Sequence, residues 1–181
     1  MDKTRNIRQI IGKRLKYLRN KRRLSLSSLA KRAGISKATL SVLEDGEGNP
    51  TISTLWMLAD ALEVPFGKLV VNFGEGKPTT ISECGVSVRL IEHSDGPPPV
   101  DAYHMTLEPH GCREAEPHPS GVIEQITVLK GYILTGPADA PKKVNAGETH
   151  TFNADCPHIY VALTKPASAV LVVTYPPDKN R

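Results

Sequence analysis

The chain has 181 residues and a net charge of +4 that is unevenly spread: residues 1–72 hold fourteen Lys or Arg against six Asp or Glu, net +8, while residues 73–181 hold nine against thirteen, net −4. Only the first part suits a polyanion, because its cations release counterions from nucleic acid and the acidic remainder is repelled by it. No aliphatic run exceeds AVLVV at 169–173, far too short for a bilayer, and the opening MDKTRNIRQ lacks an apolar secretory core, so no membrane segment and a cytoplasmic location are expected. In chain order, Ile7, Ile11, Leu15 and Leu18 recur every three or four residues within a basic stretch, which predicts an amphipathic first helix. A second helix is expected in LSLSSLAKRAG, 24–34, with Ser25 as its cap and Leu26, Leu29, Ala30 and Ala33 as its apolar stripe.

Gly34 then supplies a left-handed turn, Ile35 plugs the corner, and Ser36 caps a third helix in which Leu40 and Leu43 face inward. Lys37, Ala38, Ser41 and Val42 are left outside. Pro50 ends the next turn, Thr51 caps a fourth helix with Ile52, Leu55, Leu58, Ala59 and Leu62 as its core, and a short fifth helix is expected at 65–70. Trp56 and Met57 lie among these leucines and are assigned to helix packing. Five helices in about seventy residues predict a bundle with short connections.

Residues 5–70 resemble the lambda-repressor-like helix-turn-helix domain of bacterial Xre-type regulators, on the strength of LAKRAGIS, LEDG and NPTISTLWMLADAL taken together. The resemblance implies that the third helix enters the major groove of double-stranded operator DNA, with contacts from Ser27, Ser36, Lys37, Ala38, Thr39, Ser41, Val42 and Asn49. Of these, Lys37, Ala38 and Val42 would read bases, and the helix ends and the Asn49 loop would hold the backbone. It also implies an ion pair between Arg19 and Glu44, and heads that work in pairs, hence a homodimer on a palindrome.

Composition changes in VNFGEGKPTT. The first domain is therefore set at 1–72, a linker at 73–80 and a second domain at 81–181, which holds all six histidines and all three cysteines. Cys84, Cys112 and Cys156 are odd in number and lack zinc-ribbon spacing, which argues against a disulfide framework. Short β-rich runs at 86–91, 102–107, 124–129, 132–134, 149–152, 159–163 and 169–174, separated by Gly and Pro turns, predict an all-β barrel or sandwich.

Two segments, EPHPSGVIEQITVLKG and NAGETHTFNADCPHIY, resemble the two motifs of the cupin barrel, in which histidines and a glutamate converge on one metal. Carried over, Glu124 keeps its spacing to Gly131 and His158 follows Gly147 at the expected distance, whereas Glu116 stands where a ligand histidine is usual. His118, Glu124 and His158 are the candidate ligands. Two imidazoles and a carboxylate suit a divalent metal, zinc first and iron, manganese or nickel as alternatives; the same groups read equally as the lining of a ligand pocket. Gln125 should face away. His150 reads as a partly exposed spacer or a further pocket group, Cys156 as a small buried residue, a redox-sensitive thiol or a soft metal ligand, and His93, His104 and His110 have no recognisable partner.

The pairing of an Xre-type head with a cupin resembles bacterial one-component transcription regulators, and implies operator binding controlled by a small metabolite such as an amino acid. A competing reading is a metal-dependent cupin enzyme, a dioxygenase or isomerase, carrying a DNA-binding head. A phage-type repressor explains the head but leaves the barrel idle. No acid–base set beyond the three ligands, hydrolytic triad or phosphate-binding glycine loop is visible, so no catalytic residue is assigned.

Overall fold

The computed structural model describes residues 3–70 and 80–177, with only the backbone at 3–7. The side chain of Ile7 and the expected linker, apart from Thr80 in the first strand, lie outside the described residues. The chain divides into two compact units, Met1–Thr79 and Thr80–Arg181.

The first unit is helical. Helix α1, Lys3–Lys21, buries Ile11, Leu15 and Leu18. Helix α2, Leu26–Arg32, is capped by Ser25, whose Oγ accepts the Ser28 N–H at 3.1 Å. Helix α3, Lys37–Glu44, is capped by Ser36, which accepts the Thr39 N–H at 2.9 Å, and α4, Ile52–Ala61, by Thr51, which accepts the Thr54 N–H at 3.1 Å. Each cap satisfies one of the amides that a helix start leaves unpaired. Between α2 and α3, Gly34 has φ +66°, the left-handed region that the turn requires. Trp56 stacks on Phe66 with ring centres 4.5 Å apart, as part of the helix core. Helix α5 is shorter than expected, Gly67–Val70: Pro65 and Phe66 instead supply carbonyls to the Lys68 and Leu69 N–H groups at 3.0 and 2.9 Å.

Among its described residues the second unit has ten strands: β1 Thr80–Glu83, β2 Val86–Ser94, β3 Val100–Leu107, β4 Cys112–Ala115, β5 Ile123–Lys130, β6 Tyr132–Pro137, β7 Lys142–Asn145, β8 Thr149–Asn153, β9 His158–Val161 and β10 Ala167–Thr174. They form two antiparallel sheets, a six-stranded one in the order β1-β2-β3-β10-β5-β8 and a four-stranded one in the order β4-β9-β6-β7. Strands β1, β4 and β7 were not foreseen; at four residues each they are too short for a period of two to stand out.

Alternation decides what lines the space between the sheets. Strand β5 buries Glu124, Ile126 and Val128 and exposes Gln125; β9 buries His158 and Tyr160; β4 buries Arg113 and Ala115. Gly131 reverses the chain from β5 into β6 at φ +75°, where a Cβ would lie 2.8 Å from the Pro166 carbonyl oxygen, so glycine is required twice over. Among the described residues no helix is long and apolar enough to cross a membrane.

Candidate DNA-reading face and metal centre

Helix α3 is two-faced. Leu40 and Leu43 are buried in the bundle, while Lys37, Ala38, Thr39 and Val42 are exposed and Ser41 is half-buried. Val42 is 47% exposed, an apolar β-branched group left on the surface. Ser27 in α2, Ser36 at the start of α3 and Asn49 beyond its end are exposed as well. The buried face is anchored to α1 by a forked ion pair: Arg19 Nε and Nη2 donate to Glu44 Oε1 and Oε2 at 2.6 and 2.8 Å. Glu44 is buried, so a two-pronged partner is what makes its charge tolerable there. Arg19 is held above its ordinary pKa chiefly by the Glu44 hydrogen bonds.

In the β unit, His118, Glu124 and His158 converge from the β4–β5 loop, β5 and β9, all three buried. Glu124 Oε1 lies 3.2 Å from His118 Nε2 and 3.6 Å from His158 Nε2, and the two imidazole ring centres are 5.1 Å apart. His158 Nδ1 donates to the Cys156 carbonyl at 2.8 Å. A carbonyl can only accept, so Nδ1 carries a proton, which leaves Nε2 as the ring nitrogen turned toward Glu124. That Nε2 is buried without a hydrogen-bond partner.

The donor set fits a metal on these observations. Two ligands at about 2.1 Å from a tetrahedral ion stand roughly 3.4 Å apart, between the two separations found. Burial alone would raise the Glu124 carboxyl, but the His118 hydrogen bond and the two imidazoles beside it outweigh it and hold the group far below the usual carboxylate range. It is therefore a carboxylate, as a metal ligand must be. Its other oxygen, Oε2, accepts the Tyr160 hydroxyl. Burial, with Glu124 alongside, pushes the Tyr160 phenol well above its ordinary range, so it stays a donor. A bound divalent ion would supply a Lewis-acidic centre with positions open to a small molecule.

The remaining candidates separate cleanly. Glu116 is exposed and does not join the cluster. Of the two readings of His150, the inward one fits: it lies on the same side of β8 as Phe152, its Nε2 buried without a hydrogen-bond partner. Cys156 is half-exposed, with Sγ at 3.5 Å from the Asn153 carbonyl, and all three cysteines are free. His93 does have partners: Nδ1 meets Asp101 Oδ1 at 2.6 Å and Nε2 meets Asp95 Oδ1 at 3.1 Å, and Tyr103 and Tyr175 also donate to Asp101. Register across β2 and β3 makes that pair, since His93 lies opposite Asp101.

Sequence reasoning also missed Tyr160, Arg113 and Thr135. Tyr160 was recoverable, because it follows His158 by two residues and must share its face. Arg113 and Thr135 flank it in register on β4 and β6. Nothing in the sequence alone paired those three strands.

An all-helical unit with a two-faced third helix, followed by a unit of two antiparallel sheets with a buried His–Glu–His cluster, defines the class as a helix-turn-helix protein with an added β unit. Comparison with known proteins agrees. The helix-turn-helix family HTH_3 matches residues 15–69. The HTH-type transcriptional regulator SutR of Escherichia coli (strain K12) is 31% identical over 157 residues, 86% of this chain and 88% of that protein. An HTH_3 family transcriptional regulator from Vibrio cholerae superposes with a TM-score of 0.81 at 30% identity, over 96% of this chain and 99% of that one. The HTH-type regulator RghRB of Bacillus subtilis (strain 168) is 41% identical over 83 residues, 44% of this chain and 60% of that protein. The chain belongs to the family of HTH-type transcriptional regulators.

Proposed function

We propose that the protein is a cytoplasmic one-component regulator that binds operator DNA as a homodimer and answers to a small metabolite, such as an amino acid or a relative of one, taken up in the barrel. The observation that carries the reading is the outward face of α3, where Lys37, Ala38 and Val42 are exposed on a unit whose residues 1–72 have net charge +8. Lys37 and Ala38 stand at the helix start, the part of a recognition helix that meets base edges; Lys37 suits guanine acceptors and Val42 suits a thymine methyl. Ser27, Ser36, Thr39, Ser41 and Asn49 carry short polar side chains suited to phosphate contacts around them.

The metal enters as part of the effector site: His118, Glu124 and His158 hold it, zinc by preference, and it orients the metabolite. The barrel works by binding and not by turnover. This is supported by the transcriptional relatives along nearly the whole chain.

The test is selection of a preferred site from random duplexes by the full-length protein, followed by affinity measurements at several salt concentrations. Lys37→Ala is expected to cost about 1–3 kcal/mol on the selected site and much less on random DNA, because a base contact is sequence-specific and a phosphate contact is not. Equal losses on both DNAs would reject base reading by Lys37. Failure to select any sequence would reject the regulator itself.

A further inference from the structure

The inner face of the four-stranded sheet carries a row of three cross-strand neighbours: Arg113 on β4 lies opposite Tyr160 on β9, which lies opposite Thr135 on β6. They are 6%, 1% and 0% exposed. A guanidinium taken out of water needs acceptors for its donors, or its burial is costly. Among the described residues Arg113 Nε has no hydrogen-bond partner, and Glu83 Oε2 stands 3.6 Å away, near enough to offset part of the charge but too far to accept the proton. The guanidinium carbon is 5.8 Å from the centre of the Tyr160 ring, and the hydroxyl of that ring holds Glu124 of the metal set. Thr135 Oγ1, on the other side of Tyr160, is buried without a partner, as is His158 Nε2. Three unmatched polar atoms therefore line one wall, and one of them carries a positive charge.

We propose that the barrel's ligand is a small organic acid whose carboxylate pairs with Arg113, and that its remaining polar end reaches toward the His118–Glu124–His158 centre, with Thr135 facing the same space. This deepens the sensor reading and rests on it. The planar fork of arginine matches a carboxylate two-pronged. One cation, already shared with Glu83, balances a single negative charge and disfavours a doubly charged phosphate. An amine at this spot meets a like charge. Strands β4 and β6 flank β9, so their backbones are about 9–10 Å apart, a span suited to a molecule of a few heavy atoms once the side chains reach inward.

The experiment is calorimetric titration of the full-length protein with glycolate, L-serine and pyruvate, each beside its amide. At least one acid is expected to bind saturably, with its amide ten-fold weaker or worse. Arg113→Gln should lose ten-fold or more for the acid, and Arg113→Lys, which keeps the charge without the fork, should fall between, both at unchanged metal content and far-ultraviolet circular dichroism. Equal binding of acid and amide, wild-type affinity in Arg113→Gln, or no binding by any of the three acids would overturn the assignment. If Arg113→Gln does not fold, the acid–amide comparison and Arg113→Lys still decide. Acid binding that follows Arg113 but leaves operator affinity unchanged keeps this site and rejects the sensor.

Discussion

Glu124 ties three buried side chains of the β unit together. It is 1% exposed, yet His118 and His158 approach one oxygen and Tyr160 occupies the other. Replacing it strips partners from three buried groups at once, so loss of metal would be confounded with loss of fold. His158 is the cleaner probe: its Nδ1 bond goes to backbone, and its Nε2 has no hydrogen-bond partner to abandon. Protein purified without chelators is expected to carry close to one divalent ion per chain by elemental analysis, and His158→Ala to lose it, because two ligands hold a metal poorly. Tyr160→Phe should keep the ligands but weaken the ion about 10–100-fold by freeing Glu124 Oε2. A metal-free wild type with a normal fold would leave the three residues as pocket lining.

At the scale of elements, the closest packing in the helical unit is where α1 crosses the end of α3. A Cβ on Gly12 would fall 2.5 Å from the Leu43 carbonyl oxygen and 2.7 Å from that of Glu44, so only glycine lets the backbones approach this far. Arg19, two turns further along α1, then grips Glu44 of the same helix. Gly12→Ala must push α3 away from α1. It is expected to cost about 1–3 kcal/mol, the usual toll of overpacking, and to weaken specific DNA binding by tilting the α3 face. Trp56, the single tryptophan, is buried in this unit and reports its unfolding by fluorescence in denaturant. An unchanged midpoint would mean that the helices shift freely and that the crossing is not tight.

The elements differ in how far the sequence foretold them. Helix starts were legible because Ser25, Ser36 and Thr51 do their work within three residues, and Leu40 and Leu43 declare a face by spacing alone. Glu124 and His158 were legible through motif spacing. Gly12, Arg113 and the His93–Asp101 pair were not, since each acquires its role from a segment distant in sequence: the α3 carbonyls, the β9 register, and a β2–β3 ladder whose register shifts between Leu90 and Glu92.

The whole molecule joins a cationic head to an acidic barrel. A ligand in the barrel can alter DNA binding only if its affinity differs between DNA-competent and DNA-incompetent states. Linkage then runs both ways: operator DNA must change the ligand's affinity by the same factor by which the ligand changes the operator's. A coupling of about 1–3 kcal/mol, roughly five- to a hundred-and-fifty-fold, is enough for a switch. His158→Ala should abolish the coupling while leaving ligand-free operator affinity nearly intact, because that residue belongs to the other compact unit. The measurement is operator affinity with and without a bound acid, acid affinity with and without operator, and analysis of the same mixtures for product. Equal shifts in the two directions with the acid recovered intact are expected. A consumed acid with unchanged operator affinity would instead make the barrel a metal-dependent enzyme, because turnover needs no difference in affinity between two DNA-binding states, and a sensor has nothing else to work with.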